Sequence, residues 1–172
     1  NRIIQREHPA LIKKNSYIAK INGVLNAVII ESNPVGTTVL QGEGAGAGAT
    51  TSSLISDLCS ILRGNVKFPF VLPDKKRKSL TFKNISNKRF STYLRLDVKD
   101  KNGILSDITK VMAKNRISVK RLIQYPTKNK KNASIVIITH EAKSSSFKKL
   151  LSTLKKKNYI VNNPKIIRIE KI

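Results

Sequence analysis

Hydrophobic and polar residues alternate over residues 93–99, and a period of two predicts a half-buried β-strand. A turn is expected at residues 100–103, because Gly103 can adopt a positive φ. The hydrophobic residues then recur at helical spacing, which predicts an amphipathic helix over residues 104–115. Its apolar side consists of Ile104, Leu105, Ile108, Val111 and Met112.

The remaining pattern completes a domain. Two strands are predicted at residues 117–125 and 133–140, and a helix containing Phe147 and Leu150 follows. The last strand is predicted around Pro164. Because proline lacks an N–H group, this strand is either an edge strand or interrupted there. The order strand, helix, strand, strand, helix, strand is the βαββαβ plan of ferredoxin-like α+β domains.

The first half of the chain has a different organisation. Strands are predicted at residues 24–32 and 37–41, joined by a turn, and they favour an antiparallel hairpin. The Gly-rich segment GEGAGAGA follows at residues 42–49, and a helix is expected at about residues 51–63. Thr50, Thr51 and Ser52 are candidate caps for that helix.

A change in composition separates the two halves. Residues 65–90 show no sustained period and contain the basic run KKRK at residues 75–78, which is typical of an exposed linker. We therefore predict two domains, at residues 1–78 and 79–172, with the boundary between about Ser79 and Phe90.

The Gly-rich segment has two interpretations. A glycine-rich loop that enters a helix can hold phosphate groups on free backbone N–H groups. The spacing GxGxGxG is neither the dinucleotide-binding pattern GxGxxG nor a Walker loop, because no GK[ST] follows. A flexible turn packed against a neighbouring element explains the same residues.

The chain carries a formal net charge of +24, which allows two explanations. Such a charge suits a nucleic-acid-binding protein. A bias toward A/T-rich codons explains the charge as well, because Lys, Asn and Ile, which all have such codons, together make 62 of the 172 residues. Only 9 of the 34 basic residues are Arg, the better residue for recognising phosphate, and this favours the bias.

Several classes of function lack their residues. One cysteine, Cys59, excludes an internal disulfide, and with two histidines it cannot form a usual zinc site without carboxylate ligands. No apolar run approaches the roughly 20 residues that span a bilayer, and no signal peptide is visible. No nucleophile and base stand at a recognisable spacing. We expect no metal, no catalytic residue in these 172 residues and a cytoplasmic location.

Specific motifs add a resemblance to known families. DKNGIL at residues 100–105, followed by a helix and NRIS, resembles the D-[KR]-P-G-[VIL]-L signature of ACT domains, which bind small regulatory ligands, often amino acids. Residues 22–28, 42–46 and 50–58 resemble the end of the catalytic region of homoserine dehydrogenase. Bacterial members of that family often carry an ACT domain directly after this helix, so the resemblance covers nearly the whole chain.

The resemblance implies a function for the parent protein. Homoserine dehydrogenases interconvert L-homoserine and L-aspartate 4-semialdehyde with NAD(P), on the route to threonine, methionine and isoleucine. The chain would supply the end of the catalytic domain, one wall of the cofactor site and an amino-acid sensor. The cofactor residues implied are Gly44, Ala45 and Gly46, and at Gly46 a Cβ would obstruct the close approach of the backbone to the cofactor.

The ACT resemblance also implies an effector site and a partner. ACT domains commonly associate through sheet edges, so a homo-oligomer is expected, with threonine as the favoured ligand. The turn and the start of the following helix can receive the ligand's carboxylate, and Asp100 can accept from its ammonium group. Ile117 and Ser118 are assigned to the partner's side. The predicted effector residues are Asp100, Gly103, Ile104, Leu105, Ile117 and Ser118.

Departures from the families limit these expectations. The N-terminal Rossmann domain and the segment with the catalytic lysine are absent from these residues, so the chain alone is expected to be inactive. Asn102 stands where the ACT signature has Pro, which would fix φ in the turn. Two alternatives stay open. A stand-alone amino-acid-binding regulator explains only the second half. An RNA-binding βαββαβ domain is disfavoured, because the predicted strand ASIVIITH has no aromatic residue for base stacking.

Overall fold

The structure is a computed structural model that describes residues 2–65, 73–79, 81–82, 85–127 and 131–171. It divides into two compact units, one formed by residues 2–12 and 81–171 and the other by residues 13–79. The strands are β1 (Arg2–Ile3), β2 (Ala10–Leu11), β3 (Leu25–Ser32), β4 (Gly36–Glu43), β5 (Thr81–Phe82), β6 (Arg89–Lys99), β7 (Val119–Pro126), β8 (Asn132–Thr139), β9 (Ala142–Lys143) and β10 (Lys165–Ile169). The α-helices are α1 (Ala47–Leu62), α2 (Ile104–Lys114) and α3 (Ser144–Leu154).

The larger unit confirms the ferredoxin-like prediction. Its elements follow the order β6, α2, β7, β8, α3, β10, and the main sheet has the strand order β2-β10-β6-β8-β7. Strands β10, β6, β8 and β7 are antiparallel to their neighbours, whereas β2 runs parallel to β10. Pro164 directly precedes β10, so its missing N–H costs the ladder nothing.

The alternation along β6 builds the core. Leu94, Leu96 and Val98 are at most 1% exposed, and they pack with one face of each helix. On α2 the buried residues are Ile108, Val111 and Met112, and on α3 they include Phe147, Leu150 and Leu154. Burying a side chain of this size contributes roughly 1.5–3 kcal/mol. The larger unit therefore has a hydrophobic core of its own.

The two edges of the sheet differ. Residues of β2 pair with Arg168 and Ile169, so one edge is covered by the N-terminal segment. Strand β7 forms the other edge, and within the described residues no strand pairs with its outer side. Residues 2–12 thus belong to the larger unit. The division into domains at residues 1–78 and 79–172 stays a prediction, and residues 80, 83 and 84 of the boundary lie outside the described residues.

The smaller unit contains the predicted hairpin. Strands β3 and β4 pair from Leu25 opposite Glu43 to Ser32 opposite Gly36. Helix α1 begins at Ala47, four residues before the predicted start, so Thr50, Thr51 and Ser52 are not its caps. Instead Gly46, with φ of 122°, turns the chain into the helix, and the Thr50 hydroxyl donates to the Gly46 carbonyl oxygen. Of the four glycines of this segment, Gly46 is the N-cap residue and Gly48 lies within the helix.

Helix α1 leaves its apolar stripe in solvent. Leu54, Leu58 and Ile61 are between 52 and 65% exposed, and no residue of this helix is buried among the described residues. Val28 and Leu40 on the hairpin are also more than half exposed. An exposed face of this extent marks an interaction surface. The smaller unit has therefore not buried its hydrophobic side chains within the described part of the chain.

Candidate functional site

A pocket of about 230 Å³ lies where β6 ends and α2 begins. It gathers four of the six predicted effector residues: Asp100, Gly103, Ile104 and Leu105. The remaining lining residues are Val98, Lys99, Lys101, Asn102, Gln124 and Ile135. Val98 and Ile135 are both 1% exposed and form an apolar floor. The pocket therefore combines an apolar floor with a polar rim, on a scale that suits a small amino acid.

Gly103 shapes the start of helix α2. It has φ of 84° and ψ of −15°, a left-handed conformation that favours glycine. It is also the N-cap residue, and no side chain caps this helix end. The N–H of Asp107 donates to the Gly103 carbonyl oxygen at 3.0 Å. The N–H groups of Leu105 and Ser106 lie in the first turn, where an α-helix offers them no carbonyl acceptor. These two N–H groups, with the positive end of the helix, can receive a carboxylate.

Asp100 supplies the negative charge of the pocket. Its N–H donates to the Lys131 carbonyl oxygen at 2.8 Å, which fixes the backbone at the end of β6. Its Oδ1 accepts from Gln124 Nε2 at 3.4 Å, and its carboxylate forms no ion pair within the described residues. The carboxylate thus remains available for an ammonium group.

Gln124 was missed by the sequence reasoning. It lies on β7, and pairing with Ile135 of β8 brings it to the pocket. Only the register of β7 on β8 places it there, and that register contains a shift between Val119 and Arg121. A polar residue within a strand was the sole signal in the sequence.

A second carboxylate lies in the first turn of helix α2. Asp107 Oδ2 accepts from Lys157 Nζ at 2.8 Å and from the Tyr159 hydroxyl at 2.8 Å. The hydrogen bond from Lys157, and then that from Tyr159, lowers the pKa of Asp107. Burial raises the pKa of Tyr159, and Asp107 raises it further. Because Lys157 balances the charge of Asp107, this carboxylate opposes an incoming anion less than an unpaired one would.

The other two predicted effector residues lie outside the pocket. Ile117 is 3% exposed and packs in the hydrophobic core, so its side chain is unavailable to a ligand of either copy. Ser118 is exposed, and its carbonyl oxygen accepts from the N–H of His140 at 2.9 Å. The assignment of residues 117 and 118 to a partner's site stays a prediction, which Ser118 and the backbone alone can fulfil.

The predicted cofactor residues Gly44, Ala45 and Gly46 lie between the end of β4 and the start of helix α1. The N–H of Gly44 donates to the Val24 carbonyl oxygen at 3.0 Å. A Cβ on Gly44 would lie 2.5 Å from the Asn26 Cγ, so the exposed Asn26 side chain would have to move to admit one. Gly46 needs its positive φ, and a Cβ on it would meet nothing within 4 Å. The Asn26 side chain thus occupies the space beside Gly44, whereas Gly46 leaves open space beside the helix start.

The start of helix α1 fits an anionic group. The helix has 16 residues, no acidic residue in its first turn and no side-chain cap. Its first N–H groups therefore lack intrahelical acceptors at the positive end of the helix. These features suit a phosphate of the implied NAD(P) cofactor. They would suit another anion equally, since no side chain that distinguishes NAD from NADP stands in this loop.

The described part of the chain contains neither a metal-binding cluster nor a membrane-spanning helix. Over those residues no three His, Cys, Asp or Glu side chains come together as a metal site would need. No helix among them has the length and apolarity to cross a membrane.

Comparisons with known proteins agree with the two-part organisation. The ACT domain family model matches residues 92–158, and the homoserine dehydrogenase family model matches residues 3–59. Homoserine dehydrogenase of Helicobacter pylori is 32% identical over 96% of this chain and 39% of its own length. That of Neisseria gonorrhoeae is 29% identical over 97% of this chain and 40% of its own length.

A solved structure gives the same correspondence. A homoserine dehydrogenase from Thiobacillus denitrificans matches with a TM-score of 0.82 and 26% identity, over 99% of this chain and 40% of that one. The chain thus spans about two fifths of the length of these relatives. Residues 92–158 are an ACT domain, and the chain as a whole corresponds to the C-terminal part of homoserine dehydrogenases.

Proposed function

We propose that this chain acts as the C-terminal part of a cytoplasmic homoserine dehydrogenase, which interconverts L-homoserine and L-aspartate 4-semialdehyde with NAD(P). The observation that carries the proposal is the order of the two matched segments. A homoserine dehydrogenase segment at residues 3–59 precedes an ACT domain at residues 92–158, and the relatives align across both. A free-standing amino-acid sensor would not require the first segment.

In this proposal residues 44–46 form one wall of the cofactor site. When bound, NAD(P) accepts the hydride from homoserine, and this chain's part is to hold an anionic portion of the cofactor on backbone N–H groups. Gly46 turns the chain into helix α1 and leaves room for close approach. Ala45 is exposed in the same loop. No residue here acts as an acid or base.

The exposed faces of the smaller unit support a missing partner domain. The stripe of Leu54, Leu58 and Ile61 on helix α1 is the kind of surface that a further domain covers. Hydride transfer requires the nicotinamide to be held against the substrate carbon, and the Rossmann domain that holds it in the family is not among these residues. We therefore expect the 172-residue chain alone to be inactive.

A fusion tests the catalytic proposal. The part of the Helicobacter pylori enzyme that precedes the aligned region would be joined to Arg2 of this chain, and homoserine-dependent reduction of NAD and NADP would be followed at 340 nm. We expect activity in the fusion and none in either part. The matched control is the same fusion carrying Leu58→Lys, which places a charge on the apolar stripe and should remove activity. An active 172-residue chain, or a soluble and folded fusion without activity, would contradict the proposal.

The pocket at the start of helix α2 supports an amino-acid effector. Asp100 would accept from the ammonium group, and the N–H groups of Leu105 and Ser106 would receive the carboxylate. Gln124 stands within reach of a side-chain hydroxyl, because it lines the same pocket. Threonine, a product of the pathway, is the favoured ligand. Asn102 in place of Pro leaves the turn less constrained, so weak binding is expected.

The open edge of β7 supports a homo-oligomer. An unpaired edge strand presents free N–H and C=O groups, which a second copy can pair. Ile123 and Tyr125 on this strand are 38 and 50% exposed. The opposite edge is already covered by β2, so β7 is the edge left for pairing in the described sheet. Such pairing would bring the partner's Ser118 region toward the same edge.

Calorimetry tests the effector proposal separately from the catalytic one. Threonine, isoleucine, methionine, serine and lysine would be titrated into the 172-residue chain. We expect threonine to bind, and Asp100→Asn to weaken binding at least about tenfold, since a hydrogen bond to a charged group contributes roughly 1.5–3 kcal/mol. Asp57→Asn, which makes the same change on exposed helix α1, is the control.

The combined outcomes separate the two functions. Threonine binding together with an inactive fusion would favour the alternative of a stand-alone regulatory module. No binding of any of the five amino acids at millimolar concentration would contradict the effector site and leave the catalytic proposal standing. Binding that survives Gly103→Val would also contradict the site, because a β-branched residue at this φ would distort the turn.

A further inference from the structure

A second cavity in the larger unit is lined mainly by basic side chains. It measures about 670 Å³ and lies between the end of helix α2 and the start of helix α3. Its lining residues are Arg89, Lys114, Asn115, Arg116, Ala142, Lys143, Ser145, Ser146 and Lys149. None of them lines the effector pocket, so this cavity is a separate place on the domain.

The general lysine excess of the chain does not account for this cluster. Lys and Arg make 34 of the 172 residues, which is about one in five, but five of the nine lining residues. No acidic residue lines the cavity. Two of the five cations are Arg, although the chain has far fewer Arg than Lys. Biased coding raises the lysine content everywhere, whereas here the cations of three chain segments converge.

Four of these five cations lack counter-charges in the described part of the protein. Lys114, Arg116, Lys143 and Lys149 form no ion pair with any described residue. Arg89 donates to the carbonyl oxygen of Glu141 at 2.8 Å, and after Lys171 its charge also helps to lower the pKa of the Glu141 carboxylate. The Glu141 carboxylate itself is paired with Lys171. Like charges held in one concave surface repel each other, and a bound anion would relieve that repulsion.

The start of helix α3 adds uncharged donors to the cavity. The N–H of Ser144 is already bonded to the Lys88 carbonyl oxygen at 2.9 Å. The next two N–H groups, those of Ser145 and Ser146, lie in the first turn, where an α-helix offers them no carbonyl acceptor. Both serines are half-buried, line the cavity and have hydroxyls without a hydrogen-bond partner among the described residues. The cavity thus presents cations, hydroxyls and N–H groups together.

We propose that this cavity binds a small anion that carries two or more phosphate groups. A single phosphate would leave most of the five cations uncompensated and most of the volume empty. The size lies within the range of small-molecule sites. The lining contains no aromatic side chain, so nothing stacks on a base, and this argues against a nucleotide or single-stranded RNA as the preferred ligand. Phosphate oxygens match the mixture of Lys, Arg, hydroxyl and N–H donors.

The test uses tripolyphosphate as the probe and the 172-residue chain as the protein. Binding would be measured by calorimetry at constant ionic strength, with citrate, inorganic phosphate and a 20-nucleotide poly(U) RNA as comparison ligands. The variant Lys143→Gln/Lys149→Gln removes two of the five charges that line the cavity. Its matched control, Lys155→Gln/Lys156→Gln, removes two charges just beyond the other end of the same helix, outside the cavity.

The proposal makes a specific set of expectations. Tripolyphosphate should bind more tightly than phosphate and citrate, and the first variant should weaken it at least about tenfold, because charge-assisted hydrogen bonds are lost. The control should change binding less than about twofold, since neither lysine lines the cavity and salt weakens the interaction of exposed charges at that separation. Ser145→Ala/Ser146→Ala should weaken binding without any change of charge.

Four results would overturn it. These are no binding of tripolyphosphate at millimolar concentration, equal losses in the variant and its control, equal affinity for citrate, and binding of RNA alone. Unfolding of the first variant would be recognised by circular dichroism, and the serine double variant then decides the question.

Discussion

Two buried threonines connect the central strands of the larger unit. Thr92 on β6 and Thr139 on β8 are each 0% exposed. The Thr139 hydroxyl oxygen accepts from the N–H of Thr92 at 3.0 Å and lies 3.2 Å from the Thr92 hydroxyl. A side chain thus replaces a carbonyl oxygen in the ladder between these strands. Because Thr139 serves the backbone and Thr92 does not, replacing each by Val should have unequal effects.

The magnitudes follow from what each replacement leaves unpaired. Thr139→Val would leave the buried N–H of Thr92 without an acceptor, which costs about 1–3 kcal/mol. Thr92→Val removes one hydroxyl contact but keeps that N–H bonded, so it should cost about 0.5–1.5 kcal/mol. Val and Thr have nearly the same shape, so neither change opens a cavity. Thr139→Ser keeps the hydroxyl and should cost only the lost methyl group, about 0.8 kcal/mol.

Thermal unfolding of the chain, followed by circular dichroism, measures these differences. In a domain of 60–100 residues, 1 kcal/mol corresponds to about 4–8 °C in Tm. We expect Thr139→Val to lower Tm the most, and Thr92→Val and Thr139→Ser to lower it less. Hydrogen exchange at the Thr92 amide should become faster in Thr139→Val only. Equal losses for the two Val variants, or an unchanged amide exchange rate in Thr139→Val, would show that the Thr92 N–H has another partner.

Three further predictions concern other parts of the chain. Since hydrogen bonds lower the pKa of Asp107 below its ordinary value of 3.8, its stabilisation is present above that pH and lost as the pH falls through the folded-state pKa. Asp107→Asn should therefore lower Tm at pH 7 but not at the acid end, as a pH series of unfolding curves would show. Gly48→Ala, within helix α1 and with open space around its Cβ position, should stabilise that helix by up to about 1 kcal/mol in thermal unfolding. Ile123→Lys on the open edge of β7 should shift the chain toward the monomer in analytical ultracentrifugation, whereas Val161→Lys, equally apolar and 44% exposed elsewhere, should not.

The fold of the larger unit could be predicted because its physical signals agree with each other. The alternation at residues 93–99 became a strand whose Leu94, Leu96 and Val98 are buried. Gly103 was expected in a turn, and it has the positive φ that this turn requires. The role of the N-terminal segment could not be predicted, because β2 is only two residues long and its pairing with β10 depends on a contact across more than 150 residues.

The candidate effector site was predictable where it is local in sequence. Asp100, Gly103, Ile104 and Leu105 are consecutive or nearly so, and a turn before a helix brings them together. Gln124 and Ile135 enter the pocket through strand register, which hydrophobic alternation fixes only to one face and not to one position. Ile117 was assigned to a ligand because it opens a strand, but its apolar side chain is more stable in the core.

The Gly-rich loop illustrates how structure changes an experiment. Sequence alone suggests Gly46→Val as the probe of the cofactor wall, because a Cβ would obstruct close approach. Gly46 has φ of 122° and ψ of 148°, a region that β-branched residues avoid, so that variant would cost about 1–3 kcal/mol of strain before any cofactor binds. A raised KM would then report a distorted loop as readily as a lost contact.

Ala45 separates these effects. It is exposed and does not have a positive φ, so a larger side chain there is not forced into a forbidden backbone conformation. In the active fusion, Ala45→Val should raise the KM for NAD(P) while Tm and the KM for homoserine stay unchanged. Ser52→Val, on the exposed surface of the same helix, is the matched control for adding a branched apolar side chain. If Ala45→Val leaves the KM for NAD(P) unchanged, residues 44–46 only start helix α1, and the cofactor wall must be sought outside this loop.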